Sequence, residues 1–140
     1  MRSLERRAEE LLGRVRTVVL ASVTEEGAPR PVPVARIASD GFATVWAATA
    51  ADSVKTAHFR RNPRAGLCFS DERDSVVLTG CVEVVTDPAR KAGYWREWLA
   101  AHFPEGPADP NYVLLRFRGD RATFWIDGEF AHREIGKDNE

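Results

Sequence analysis

The stretch Val45 to Phe69, VWAATAADSVKTAHFRRNPRAGLCF, decides how the rest of the chain is read. It opens on a strand rich in aromatic and β-branched residues and runs through Thr49-Ala50-Ala51 to a helix starting near Asp52 or Ser53. Those side chains accept hydrogen bonds from the free N–H groups of a first turn. Asn62-Pro63 stops the helix, because the residue before proline is pushed out of the helical region. Ala65 to Ser70 then resumes as a strand. Lys55 falls in the first helical turn, where a cation opposes the helix dipole at a cost of about 0.3–1 kcal/mol. It is one of only three lysines, with Lys91 and Lys137, against 17 arginines. Thr49 and Ser53 place hydroxyls beside it, and the same helix end offers unpaired N–H groups to an anion. Two readings stay open: a pocket for a phosphate group, or a Ser53 cap with Lys55 in solvent.

Working outward, Ser3 to Val15 reads as an amphipathic helix, with Leu4, Ala8, Leu11, Leu12 and Val15 on one stripe. Strands are expected at Thr17–Val23, Pro31–Ile37, Phe42–Ala48, Ser75–Val85, Tyr112–Arg118 and Ala122–Ile126. The prolines of PVPVARI remove ladder donors, so part of that strand's edge must face something other than another strand. Asp87-Pro88 reads as a cap and first turn of a helix running to about His102. The last dozen residues read as frayed. Short strands at hairpin spacing, with too few helices for βαβ winding, predict a mainly β fold: a small antiparallel barrel with about three helices. One domain is expected over residues 1–140, with a core at 16–127, a helix at 3–15 and a tail at 128–140.

The chain has 140 residues, 44% hydrophobic and 29% charged, with 20 basic and 21 acidic side chains and a net charge of −1. This balance argues against broad nucleic-acid binding, which needs a basic surface. No apolar run approaches the ~20 residues of a membrane span, and the N-terminus lacks the apolar core of a signal peptide. A cytoplasmic protein is expected. Cys68 and Cys81 stand apart in apolar strands and read as buried, inert thiols. His58, His102 and His132 lack metal-ligand spacing, and no nucleophile elbow, P-loop or dinucleotide fingerprint is present. Reactive chemistry would have to come from a cofactor. Of the four tryptophans, Trp46 and Trp125 lie in strands and read as core. Trp95 and Trp98, three apart, are expected to share a helix face with Tyr94 nearby. That face is free for the domain, a flat ligand or, in the preferred reading, a second subunit.

Val45 to Phe69 resembles the core of the pyridoxamine 5′-phosphate oxidase-like, FMN-binding split-barrel family: an aromatic-rich strand, a Thr, Ser-x-Lys opening a helix, then Asn-Pro and a strand. Tyr94 to Phe117, YWREWLAAHFPEGPADPNYVLLRF, is similar to the general stress protein branch. The resemblance spans about Arg16 to Asp127. It implies a split barrel in which Thr49, Ser53 and Lys55, with Ala48 beside them, hold the phosphate of FMN. It also implies that Pro33, Val34 and Ala35 lie along the isoalloxazine ring, and that Ser75 reaches the flavin from a second subunit. Trp95 or Trp98 would cover the ring from that subunit, making the protein a homodimer with cofactor sites between its copies. Val54 and Pro33 stand where relatives often carry Arg, which leaves Arg30 or Arg36 to compensate. The chain shows Phe130-Ala131-His132-Arg133 in place of the Arg-rich C-terminal arm of the authentic oxidase. The expected function is therefore two-electron redox chemistry on another small molecule. The alternatives are a non-catalytic flavin or haem binder, and a reductase using a deazaflavin (F420).

Overall fold

Apolar and polar residues alternate along most strands, and the apolar set turns inward. In β5 (Ser75–Val85), Val76, Leu78 and Val82 are buried while Val77, Thr79 and Cys81 face out. The other strands are β1 (Thr17–Val23), β2 (Pro29–Asp40), β3 (Thr44–Ala50), β4 (Arg64–Ser70), β6 (Tyr112–Ile126) and β7 (Glu129–Glu134). The helices are α1 (Leu4–Arg14), α2 (Val54–Arg61) and α3 (Pro88–Gly93). The computed structural model describes residues 2–136. All pairing is antiparallel, in the order β3-β2-β1-β4-β5-β6-β7, and a β3–β6 ladder closes the first six strands into a barrel. Closure removes the edges that an open sheet leaves unpaired.

Phe69, Leu78, Leu115, Phe117 and Phe124 fill the barrel, each at most 1% exposed. Helix α1 adds Leu4, Ala8, Leu11 and Leu12 to that core, and its N-terminus is capped by Ser3, whose hydroxyl accepts from the Arg6 N–H. A second core lies around Trp46, Leu99, Phe103, Tyr112 and Leu114. Among the described residues no helix is long and apolar enough to cross a membrane.

Several expectations are corrected. The helix after Asp87 stops at Gly93, and a separate 3-10 turn follows at Glu97–Ala101. Between them the Arg96 guanidinium donates to the carbonyls of Tyr94, Trp95 and Ile37. Tyr94 stacks on Trp46 at 4.3 Å, while Trp95 meets Tyr112 edge-on at 5.2 Å. Tethering of this connector to β2 overrides its helical pattern, so Trp95 and Trp98 share no helix face. Tyr112–Ile126 is one strand bent at a bulge, not two. The tail through Glu134 is not frayed: Asp127-Gly128, both at positive φ, turns the chain into β7. Cys81 is exposed and Cys68 half-buried, because both take outward positions. Trp125 is likewise 50% exposed, flanked in sequence by buried Phe124 and Ile126. Gly128 at φ 77° occupies a region that a Cβ disfavours. Gly128→Ala is expected to lower stability by about 1–2 kcal/mol, checked by urea denaturation.

Candidate anion and cofactor site

Where β3 ends and α2 begins, the hydroxyls converge. Thr49, 7% exposed, has its Oγ1 3.4 Å from Ser53 Oγ. Ser53 caps α2 by accepting from the Thr56 N–H at 3.3 Å, and its hydroxyl lies 2.8 Å from that of Thr56. Thr56 donates in turn to the Ala50 carbonyl at 2.8 Å. These bonds join the strand end to the helix start, so the first turn is held in place.

Lys55, in the first turn of α2, is half-buried and not free in solvent. Burial of its ammonium, then the charge of Arg30, push its pKa below the ordinary lysine value. Arg30 is thus the arginine that β2 brings to this lysine. Arg36 is engaged elsewhere, donating to the Val15 carbonyl at 3.2 Å and to Ser39 Oγ at 3.5 Å. Among the described residues, neither Arg30 nor Lys55 is ion-paired. Two cations without a counter-charge, beside a cluster of hydroxyls, have the chemistry that would suit an anion with several oxygens.

The second element of the site is an open edge. Residues 29–35 of β2 pair with β1, whereas pairing with β3 starts only at Arg36. The Arg36 N–H donates to the Arg16 carbonyl at 2.8 Å, which fixes the strand's parity. Even-numbered residues turn their backbone groups to β1, and Pro29, Pro31 and Pro33 turn theirs away. The prolines therefore cost the ladder nothing, and from Pro29 to Pro33 the free edge presents carbonyl acceptors without N–H donors, the Ala35 N–H being the first donor beyond them. Pro33 and Ala35 are exposed and Val34 is buried. Ala48 is half-buried in β3.

Other expected residues lie apart. Helix α2 packs on β1 and β5, and Phe59 of α2 lines a cleft of about 410 Å³ with Val82 and Val84 of β5. Ser75 lies at the far end of β5, about 24 Å along the strand from Val82. Its cross-strand partner is Trp125, which meets Phe130 edge-on at 5.5 Å. Trp95 is committed to the second core, and Trp98 is exposed on the 3-10 turn. Among the described residues, no three His, Cys, Asp or Glu side chains cluster as a metal site.

A sequence model described as pyridoxamine 5′-phosphate oxidase like matches residues 4–133. The chain belongs to this family. No curated protein sequence matches it. A Clostridium acetobutylicum protein related to general stress protein 26 superposes with a TM-score of 0.81 at 23% identity, covering 92% of each chain. General stress protein 26 from Bacillus anthracis gives 0.78 at 24% identity, covering 93% of this chain and 98% of its own. A haem-binding protein from Mycobacterium smegmatis gives 0.75 at 17% identity, with 96% of this chain and 59% of that one covered. At these identities the likeness establishes the fold.

Proposed function

We propose that the chain binds FMN in a cleft completed by a second copy of itself and serves as an oxidoreductase for a small molecule in the cytoplasm. The observation that carries this reading is the open edge of β2, next to the Arg30–Lys55 cation pair. A phosphate and a flat heterocycle joined by a flexible chain match those two features in one molecule. Lys55 and Arg30 meet the phosphate charge, and Thr49 and Ser53 supply hydroxyl donors. Pro33 to Ala35 offer backbone contacts to the polar edge of the ring. When bound, FMN supplies the two-electron chemistry; the protein supplies position and electrostatics.

The second copy is argued from the barrel's outer face. Pro33, Val19, Cys68 and Val77 stand opposite one another across four strands. Val19 is 41% and Val77 47% exposed. An apolar row in outward positions marks a surface that another protein covers. Ser75 and Trp125 continue this face, and the flavin contact assigned to Ser75 is one made to the other copy. Trp125, rather than Trp95 or Trp98, is then the aromatic residue that covers the ring.

FMN titration of the purified protein, with its visible spectrum, tests the reading. Saturable FMN binding is expected, with riboflavin weaker; failure to bind FMN, or a haem Soret band in its place, overturns it. Trp125→Ala is expected to weaken FMN by two- to ten-fold, from about 0.5–1.5 kcal/mol of aromatic contact. Copies carrying Trp125→Ala mixed with copies carrying Lys55→Ala should regain one intact site per heterodimer. No regain after subunit exchange would exclude a shared site.

A further inference from the structure

Strand β7 has β6 as its only neighbour among the described strands, so one ladder and the element behind it set its position. That element is α1. Alternation sends the side chains of β7 to two sides. Glu129 and Arg133 turn to α1, where Glu129 lies 3.3 Å from Nη2 of Arg7 and Arg133 Nε lies 3.5 Å from Glu5. Ala131, between them, packs on the main core. Phe130 and His132 turn to the outer face, where their rings are 5.0 Å apart and Phe130 meets Trp125 at 5.5 Å. A charged seam on one side of the strand thus backs an aromatic row on the other.

Arg7 is the centre of this seam. Its Nη1 lies 2.9 Å from Asp127 and its Nη2 3.3 Å from Glu129, so one guanidinium, 20% exposed, spans the two-residue β6–β7 turn. Asp127 sits at φ 53°, in the left-handed region that Asn and Asp tolerate better than other side chains. Its N–H donates to Asp74 of the β4–β5 turn at 3.0 Å, and the Asp74 N–H donates to Asp71 at 2.8 Å. Asp71 in turn pairs with Arg14, at the far end of α1, at 3.4 Å. The contacts therefore close a ring from α1 through both turns and back to α1. One exposed ion pair contributes little to stability, but a fork shared by carboxylates on either side of a turn fixes that turn's geometry. We propose that Arg7 is a positioning residue for the cofactor: it holds the β6–β7 hairpin so that Trp125 and Phe130 project together, and so sets how closely Trp125 covers the flavin ring in the other copy.

The inference rests on the FMN reading, with Trp125 over the ring, and the test separates the two. FMN and riboflavin affinities are measured for wild type, Arg7→Met, Trp125→Ala and the double variant. Arg7→Met should weaken both ligands alike, by about two- to five-fold, within the range expected of Trp125→Ala. In the Trp125→Ala background the same substitution should cost almost nothing, because the two residues act through one contact. Arg7→Lys, which keeps the charge without the fork, should restore part of the affinity. Arg6→Met is the control: its partners Glu9 and Glu10 lie on α1 itself, and wild-type affinity is expected. A loss that persists undiminished in the Trp125→Ala background would show that Arg7 supports the fold in general, and overturns the proposal. So does an Arg7→Met that binds as wild type while Trp125→Ala is weakened, which leaves the FMN reading standing. A wild type that fails to bind FMN overturns both.

Discussion

Gly80→Ala is expected to destabilise the barrel by about 3–5 kcal/mol, near the top of the range for single substitutions. A Cβ there would lie 2.0 Å from the Arg118 carbonyl oxygen, and 2.8 Å from both the Arg118 carbonyl carbon and Gly119 Cα. All three atoms are backbone, so no rotamer change relieves the overlap. The position is also fixed by pairing. Gly80 stands opposite Gly119 and Thr79 opposite Arg121, leaving Asp120 as the extra residue of a bulge. Making room means parting β5 from β6, on the longest ladder of the barrel. Against a total stability of about 5–15 kcal/mol, much of the population would unfold. Gly66→Ala is the control, because its Cβ would meet only Ala21 Cβ and the Leu78 carbonyl oxygen, both at 3.8 Å. Urea denaturation of both variants decides. Equal midpoints would show that the β5–β6 approach yields cheaply.

The stretch that opened the reading was legible because each of its signals is local. Ser53 caps α2, Asn62 ends it, and Val45–Ala47 lie buried in β3. The end of β3 was less legible. Ala48-Thr49-Ala50 has weak strand preference, yet it pairs with Tyr112 to Leu114 of β6; a partner distant in sequence extends the strand. The break after Gly93 was hidden for a similar reason, since the Arg96 contact to Ile37 spans 59 positions. The β6–β7 hairpin is legible in Asp127-Gly128, because Asp-Gly between alternating strands is a strong two-residue turn signal. Counting outward from Phe124 would also have put Trp125 on the surface. The prolines of β2 marked an open edge in the sequence, and the structure shows that edge unpaired over residues 29–35. Which of Arg30 and Arg36 would turn to Lys55 was not legible. The direction of a long side chain is decided by the fold.

Lys55→Ala is expected to weaken FMN binding by about 1.5–3 kcal/mol, the worth of a hydrogen bond to a charged group, or roughly 10- to 150-fold in Kd. Without an anion, Lys55 is held against its charge: burial and then Arg30 both lower its pKa. The folded pKa lies below the unfolded one, so the cost of keeping Lys55 protonated acts at neutral pH. It fades as pH rises through the depressed value towards the ordinary 10.5. A bound phosphate reverses the balance by giving both cations a shared counter-charge. Removing the lysine should therefore leave the unliganded protein as stable as before, or slightly more so, while costing the liganded protein its grip. Arg30→Met should also weaken FMN, and the double variant should lose less than the two single losses combined, because the pair serves one anion. Titration with riboflavin isolates the phosphate, since neither substitution should change that affinity appreciably. An undiminished FMN affinity in Lys55→Ala would remove the phosphate from this helix end. Equal losses for FMN and riboflavin would instead mean that Lys55 supports the site's shape and not its charge.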